Sequence, residues 1–289
     1  MRLASTLVFV TLLFAAAAGC GSSEDQSGAT VAATTGIWAD VTEQVAGEDA
    51  SVEQVIPDAT SPHEFQLSAE DRATIEDSLL LVYNGADLEA GIPIDEIDVP
   101  KFAVADHVGQ LLPFEEAVEH GEGEEEEHAE SGLDPHVWMD PSRAAAALAA
   151  LADALAEADP DHANGYRSRA ESYAAELRGL DAEIEQQLGS IPPQNRKLVT
   201  SHDAMGYFAD RYGLEVLATP FPASGPEAEA SAQTIKEVED AVSSSGVPTI
   251  FAQETDDPEV LERIAGETGV GIEEHRLVEA PGESGSYLS

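Results

Sequence analysis

Short apolar runs alternate with amphipathic segments along most of this 289-residue chain, and one long helical pattern divides the alternation in two. Strand-like runs fall at Thr30–Thr35, Ser51–Ile56 and Leu79–Tyr83;. Between them Trp38–Val45 and Ser68–Asp77 read as helices, the second opened by Ser68 with acidic residues in its first turn;. A further helix is predicted over Pro141–Ala158, where Asp140 serves as cap, Pro141 suits the first position and Ala and Leu fill the interior;. The long pattern runs from about Asn164 to Leu188, with Tyr166, Tyr173, Leu177, Leu180, Ile184 and Leu188 at helical spacing, and Pro192-Pro193 ends it;. Alternation then resumes, with strands at Lys197–Thr200, Leu214–Ala218, Thr249–Ala252 and Val270–His275. Helices are expected between them at Ala204–Tyr212, Ser231–Val242 and Pro258–Glu267. Such alternation favours mostly parallel α/β sheets. The expected fold is therefore α/β, two lobes joined by one long backbone helix, with a ligand cleft where the lobes meet at the carboxyl ends of strands.

The start of the chain is not part of that fold. Met1-Arg2 leads into an apolar run from Leu7 to Ala18, then Gly19-Cys20 and a polar Gly21-Ser22-Ser23-Glu24. This order describes an export signal, and about a dozen apolar residues are too few to be retained comfortably as a membrane span. Ala17-Ala18-Gly19-Cys20 resembles the lipobox of bacterial lipoproteins, with Ala17 in place of the usual Leu, which implies lipid attachment at Cys20. A plain signal peptide with an incidental Cys is the alternative, and either way the mature protein works outside the cytoplasm. Cys20 is the single cysteine, so an intrachain disulfide is excluded;. The expected organisation is a signal peptide at 1–20, a Gly/Ser-rich tether at 21–29, a first α/β lobe at 30–158, the linking helix at 159–189 and a second α/β lobe at 190–289;.

Charge narrows the partners. Fifty-seven acidic residues against 13 basic ones give a net charge of -44, so nucleic acid would be repelled. The acidity describes a strongly solvated surface suited to high salt. It is concentrated between Glu115 and Glu130, which hold nine Glu together with His120 and His128. This tract has too little apolar surface to fold alone, and a mobile loop is expected. Its role is either solvation or weak cation collection through His120 and His128.

Three of the eight histidines sit at element boundaries, where a scaffold presents side chains to a cleft;. His63 lies in Ser61-Pro62-His63-Glu64-Phe65, His136 in Asp134-Pro135-His136-Val137-Trp138, and His202 between a strand and the helix expected near Ala204. The dipole of that helix should disfavour imidazolium at His202, leaving the neutral form that binds metal. Singly, each histidine reads as a surface or capping residue, and gaps of 73 and 66 residues make no short metal motif.

Taken together, their contexts resemble a known family. Val55-Ile56-Pro57-Asp58, Ser61-Pro62-His63-Glu64 and Val82-Tyr83-Asn84-Gly85-Ala86-Asp87-Leu88 are similar to segments of the zinc and manganese receptors of ABC importers. So are Asp134-Pro135-His136-Val137-Trp138-Met139-Asp140-Pro141, Thr200-Ser201-His202-Asp203-Ala204-Met205-Gly206-Tyr207-Phe208 and the tail Ala280–Tyr287. The resemblance spans nearly all of residues 30 to 289. It implies one metal ion in the interlobe cleft, held by His63 and His136 from the first lobe and His202 from the second. The family's fourth ligand is usually Asp; the matching position here is Glu279, with Glu274 or a water as alternatives, while Glu254 reads as structural. Family members continue for about one more helix beyond the Tyr, so the second lobe is expected to be truncated at Ser289.

Three neutral imidazoles and a carboxylate suit zinc, whereas manganese prefers more oxygen donors. The resemblance thus implies a lipid-anchored receptor on the outer face of the cytoplasmic membrane, acting as a monomer and delivering zinc to an ABC permease. Alternatives are a manganese receptor or metal-binding adhesin of the same family, and a secreted zinc hydrolase. Against the hydrolase, the chain has no His-Glu-x-x-His helix and no evident general base beside the ligands, so no enzyme is expected.

Overall fold

The computed structural model describes residues 29–58, 60–113, 132–221, 230–253, 257–273 and 286–288. Its first lobe is built on β1 (Ala29–Ala33), β2 (Ala50–Gln54), β3 (Leu81–Tyr83) and β4 (Lys101–Ala103), in the order β2-β1-β3-β4. All three pairings are parallel. Successive strand residues point to opposite faces, and helices cover both. α1 (Gly36–Ala46) lies over one face and α2 (Ala69–Glu76) over the other. Val31, Ala33 and Val82 enter the larger core with Trp38 and Val41, whereas Ala32 and Leu81 meet Ile75, Val55, Ile92 and Ile97 on the reverse side. Strands buried on both faces need apolar residues throughout, and β1 and β3 carry no charged residue.

Helix starts follow local chemistry. The Ser68 hydroxyl accepts from Asp71 N at 3.1 Å while the Asp71 carboxylate accepts from Ser68 N at 2.9 Å, a reciprocal cap that opens α2;. Asp140 accepts from Ser142 N at 2.8 Å and starts α3 (Pro141–Ala158), whose bounds are those expected from sequence. After a short 3₁₀ turn, α4 (Ala163–Gly189) runs for 27 residues, about 40 Å at 1.5 Å per residue;. Tyr166, Ala170, Tyr173 and Leu177 pack it into the first core against Leu148, Leu151 and Leu155 of α3.

The second lobe, in its described residues, has shorter strands. β5 (Lys197–Leu198) follows α4, and its partner β6 (Glu215–Val216) lies beyond α5 (Gly206–Tyr212). After α6 (Ala232–Ser245), β7 (Thr249–Phe251) and β8 (Gly271–Glu273) flank α7 (Pro258–Thr268). Both strand pairs are parallel, and a parallel bridge from Thr200 to Phe251 joins them. Val199 and Ile250 form the core with Ile235, Val238 and Val242 of α6 and Leu261 and Ile264 of α7. The strands here are two or three residues long. The helix expected near Ala204 begins at Gly206, and β4, a three-residue strand, was not anticipated.

α5 fastens the lobes together. Arg211 donates two hydrogen bonds to the Asp181 carboxylate on α4, at 2.8 and 2.7 Å, and the Tyr212 hydroxyl donates a third at 3.0 Å. Tyr207 inserts into the first core, donating to Asp134 O at 2.8 Å and accepting from Leu112 N at 3.1 Å. The chain's tail returns to the first lobe as well. Tyr287 N donates to Asp40 of α1 at 2.7 Å, and the Tyr287 hydroxyl donates to Trp138 O. No helix among the described residues is long and apolar enough to cross a membrane.

Tyr207→Phe leaves a buried carbonyl and a part-buried amide without this partner, a loss of about 1–3 kcal/mol. Urea unfolding should show a lower midpoint with an unchanged slope; an unchanged midpoint would mean that the hydroxyl does not couple the lobes.

Candidate metal centre

Each of the three singled-out histidines lies on a loop that leaves the carboxyl end of a strand or enters a helix. His63 follows β2, His136 precedes a 3₁₀ turn at Val137–Met139 and then α3, and His202 lies between β5 and α5. The fold brings all three together although they are 73 and 66 residues apart. His136 Nε2 stands 3.3 Å from His63 Nε2 and 3.2 Å from His202 Nε2. One ligand atom from each lies within 4.8 Å of the others. Two nitrogens bound tetrahedrally to one ion at about 2.0–2.1 Å stand roughly 3.3 Å apart, so the spacing fits a shared metal.

Burial sets the protonation of His63 and His202. His136 and His202 are 0% exposed and His63 is partly buried. Desolvation, followed by the neighbouring His136, lowers the pKa of His63 to about 3. The same two causes, with His63 added, hold His202 well below its ordinary value;. The sequence argument expected a helix dipole to do this at His202. The helix begins four residues later, and the first cause is burial. Imidazoles whose ring nitrogens converge on one point are groups that bind metal in their neutral form.

The supports behind these rings include residues that sequence reasoning did not single out. Asp134 Oδ1 accepts from both His136 N at 2.9 Å and His136 Nδ1–H at 2.8 Å, which turns Nε2 toward the cleft as a lone pair;. A Cβ on Gly206 would lie 2.5 Å from Asp134 Oδ2, so only glycine lets α5 begin against this carboxylate. On the far side, Asn84 accepts from Trp38 Nε1 at 2.9 Å and donates to Pro135 O at 2.8 Å, pinning the residue before His136. Asn84 is itself placed by Glu89, a buried carboxylate that accepts from Thr34 Oγ1 and from the amides of Asn84 and Gly85. Burial raises the pKa of Glu89, opposed by those hydrogen bonds. They also hold three consecutive left-handed residues, Gly85, Ala86 and Asp87, at φ 80°, 51° and 61°;. At His202, Gln253 Nε2 lies 2.9 Å from Nδ1. Asp134 and Asn84 sit in the quoted motifs and could have been found there. Gln253 belongs to no motif near His202.

Other site expectations fall elsewhere in the chain. Cys20, His120, His128, Glu254, Glu274 and Glu279 lie outside the described residues.

Comparison with known proteins bears on the whole chain. Residues 31–289 match the family described as ZnuA, zinc-uptake complex component A, periplasmic. The manganese-binding lipoprotein MntA of Halalkalibacterium halodurans is 30% identical over 288 residues, covering 98% of this chain and 91% of that protein. Among solved structures, the periplasmic zinc-binding protein TroA from Treponema pallidum aligns with a TM-score of 0.78 at 25% identity, covering 90% of this chain and 94% of that one. The laminin-binding protein Lmb of Streptococcus agalactiae, described as having adhesin and metal-transporting activity, aligns with a TM-score of 0.76 at 28% identity over the same shares. With its parallel α/β lobes and its match over nearly the full length, the chain belongs to the ZnuA family of metal-binding, substrate-binding proteins of ABC importers.

Proposed function

We propose that His63, His136 and His202 coordinate a single zinc ion between the lobes, with Glu279 as the fourth donor. The observation that carries this reading is the convergence of three imidazoles, with His136 Nε2 3.3 Å from His63 Nε2 and 3.2 Å from His202 Nε2. The donor set favours zinc: three borderline-soft nitrogens suit it, while manganese prefers oxygen. Relatives include a manganese-binding lipoprotein and a zinc-binding protein, so the metal is a property of this site's own donors. The protein captures the ion on the outer face of the cytoplasmic membrane, held there by a lipid on Cys20, and passes it as a monomer to an ABC permease. It performs no catalysis, and the acidic tract with His120 and His128 holds cations only weakly.

Chelator-stripped protein lacking residues 1–20 should bind one equivalent of zinc and melt at higher temperature when saturated. His63→Ala, His136→Ala and His202→Ala should each weaken binding severely in isothermal titration, because water must replace a nitrogen. Glu279→Ala should cost less, since water or Glu274 can substitute. A titration of wild type without heat or thermal shift would overturn the zinc reading, and manganese binding in its place would reassign the metal. Deleting residues 119–130 should remove only weak secondary binding; loss of the tight site would show that its ligands lie elsewhere.

The buried histidines also set a pH dependence for the metal-free protein. Unfolded histidine titrates near 6.5, whereas His63 in the fold titrates at about 3 and His202 is lowered in the same direction;. Their contribution is therefore intact above about pH 6.5 and declines as pH falls, because only the unfolded chain takes up the protons. Each histidine adds a slope of up to about 1.4 kcal/mol per pH unit. Urea midpoints between pH 7.5 and 5 should fall more steeply for wild type than for His63→Asn. Parallel curves would contradict the assigned burial effect.

A further inference from the structure

The outer partners of the two fully buried histidines differ. His136 is backed by a carboxylate, Asp134, which accepts its Nδ1–H at 2.8 Å. His202 is backed by the amide of Gln253, 6% exposed, whose nitrogen lies 2.9 Å from Nδ1. The register places them side by side: Thr200 bridges Phe251 in parallel, and His202 and Gln253 each follow two residues later;. An amide nitrogen only donates, so Nδ1 of His202 is the acceptor and the proton of the neutral ring is on Nε2. That proton faces His136 Nε2 at 3.2 Å, whose own proton is already directed to Asp134. These contacts form a run of hydrogen bonds from Gln253 through His202 and His136 to Asp134, with His63 Nε2 also 3.3 Å from His136 Nε2.

A metal takes the lone pair of Nε2. If His202 is a ligand, as proposed above, its proton must leave Nε2 and a proton must settle on Nδ1, exchanged through water, with the ring neutral before and after. Nδ1–H then needs an acceptor. We infer that Gln253 is the positioning residue that serves both states of His202, donating through its nitrogen when the site is empty and, after its amide turns over, accepting through its oxygen when the site is filled. A carboxylate could serve only the filled state, and an apolar side chain neither. Gln253 therefore sustains the empty site at the expense of tightness, which suits a receptor that must release what it captures. Outer-shell partners of metal-bound histidine typically change affinity 10- to 100-fold.

The test uses full-length mature protein with zinc as the probe. Histidine-selective ¹⁵N NMR, with the His202 signal assigned by its loss in His202→Asn, should show the Nε2–H tautomer without zinc and the Nδ1–H tautomer with it. Gln253→Glu should shift the zinc-free ring to Nδ1–H, tighten zinc about 10-fold at pH 8 and slow its loss to chelator. Gln253→Met, of similar volume, should abolish the tautomer preference and weaken zinc by 10-fold or more. One tautomer in both states of the wild type, or Gln253→Glu and Gln253→Met variants that hold zinc like wild type, would overturn the inference. Wild type that binds no zinc would instead overturn the site assignment itself.

Discussion

In the cleft, His136 Nε2 stands 3.3 Å from His63 Nε2 and 3.2 Å from His202 Nε2, and burial lowers the pKa of His63 and His202. Contact between ring nitrogens does not by itself aim three rings at one point, so the geometry has to be imposed from behind. Asp134 does this for His136 by accepting from both its backbone and its ring. Gly206 makes room for that carboxylate and Tyr207 holds the carbonyl of the same residue. Asn84 fixes the preceding Pro135 from the opposite side. His136 is thus oriented by groups from both lobes.

The lobes contribute unequally to this rigidity. The first has a double-faced parallel sheet, two long helices and the larger core, and it also receives Tyr207 and Tyr287 from later in the chain. In the second, two-residue and three-residue strands carry a smaller core. α5 is attached through Asp181 to α4 and through Tyr207 to the first core, so His202 enters the cleft from a loop whose far end is anchored in the first lobe. An interlobe site built this way couples donor spacing to the relation between lobes, which is the property a receptor needs to exchange its cargo.

Local chemistry was legible in the sequence wherever neighbours in the chain were sufficient. The Asp140 cap with Pro141 fixed α3 to the residue, and Ser68 with Asp71 opened α2. Apolar periodicity marked α4 and the buried strands, because helices and strands impose periods of 3.6 and 2 on whichever face is buried. Where the elements were short, periodicity had too few residues to act on: β4 was missed, and α5 was placed two residues early.

The three histidine contexts were likewise visible as a family resemblance, but neither the spacing of their nitrogens nor the burial that lowers the pKa of His63 and His202 was. Those depend on a sheet order that puts β1 between β2 and β3 and on a bridge that sets Thr200 beside Phe251. Such pairings join residues 21, 49 and 51 positions apart, and no local propensity encodes them. Gln253 shows the difference most clearly: it has no motif, and it stands beside His202 because parallel register carries both strands to the same level. The sequence determined the histidines and the elements that present them. The tertiary structure decided which histidines meet, which are stripped of water, and what stands behind each ring, because burial and register are properties of the packed chain alone.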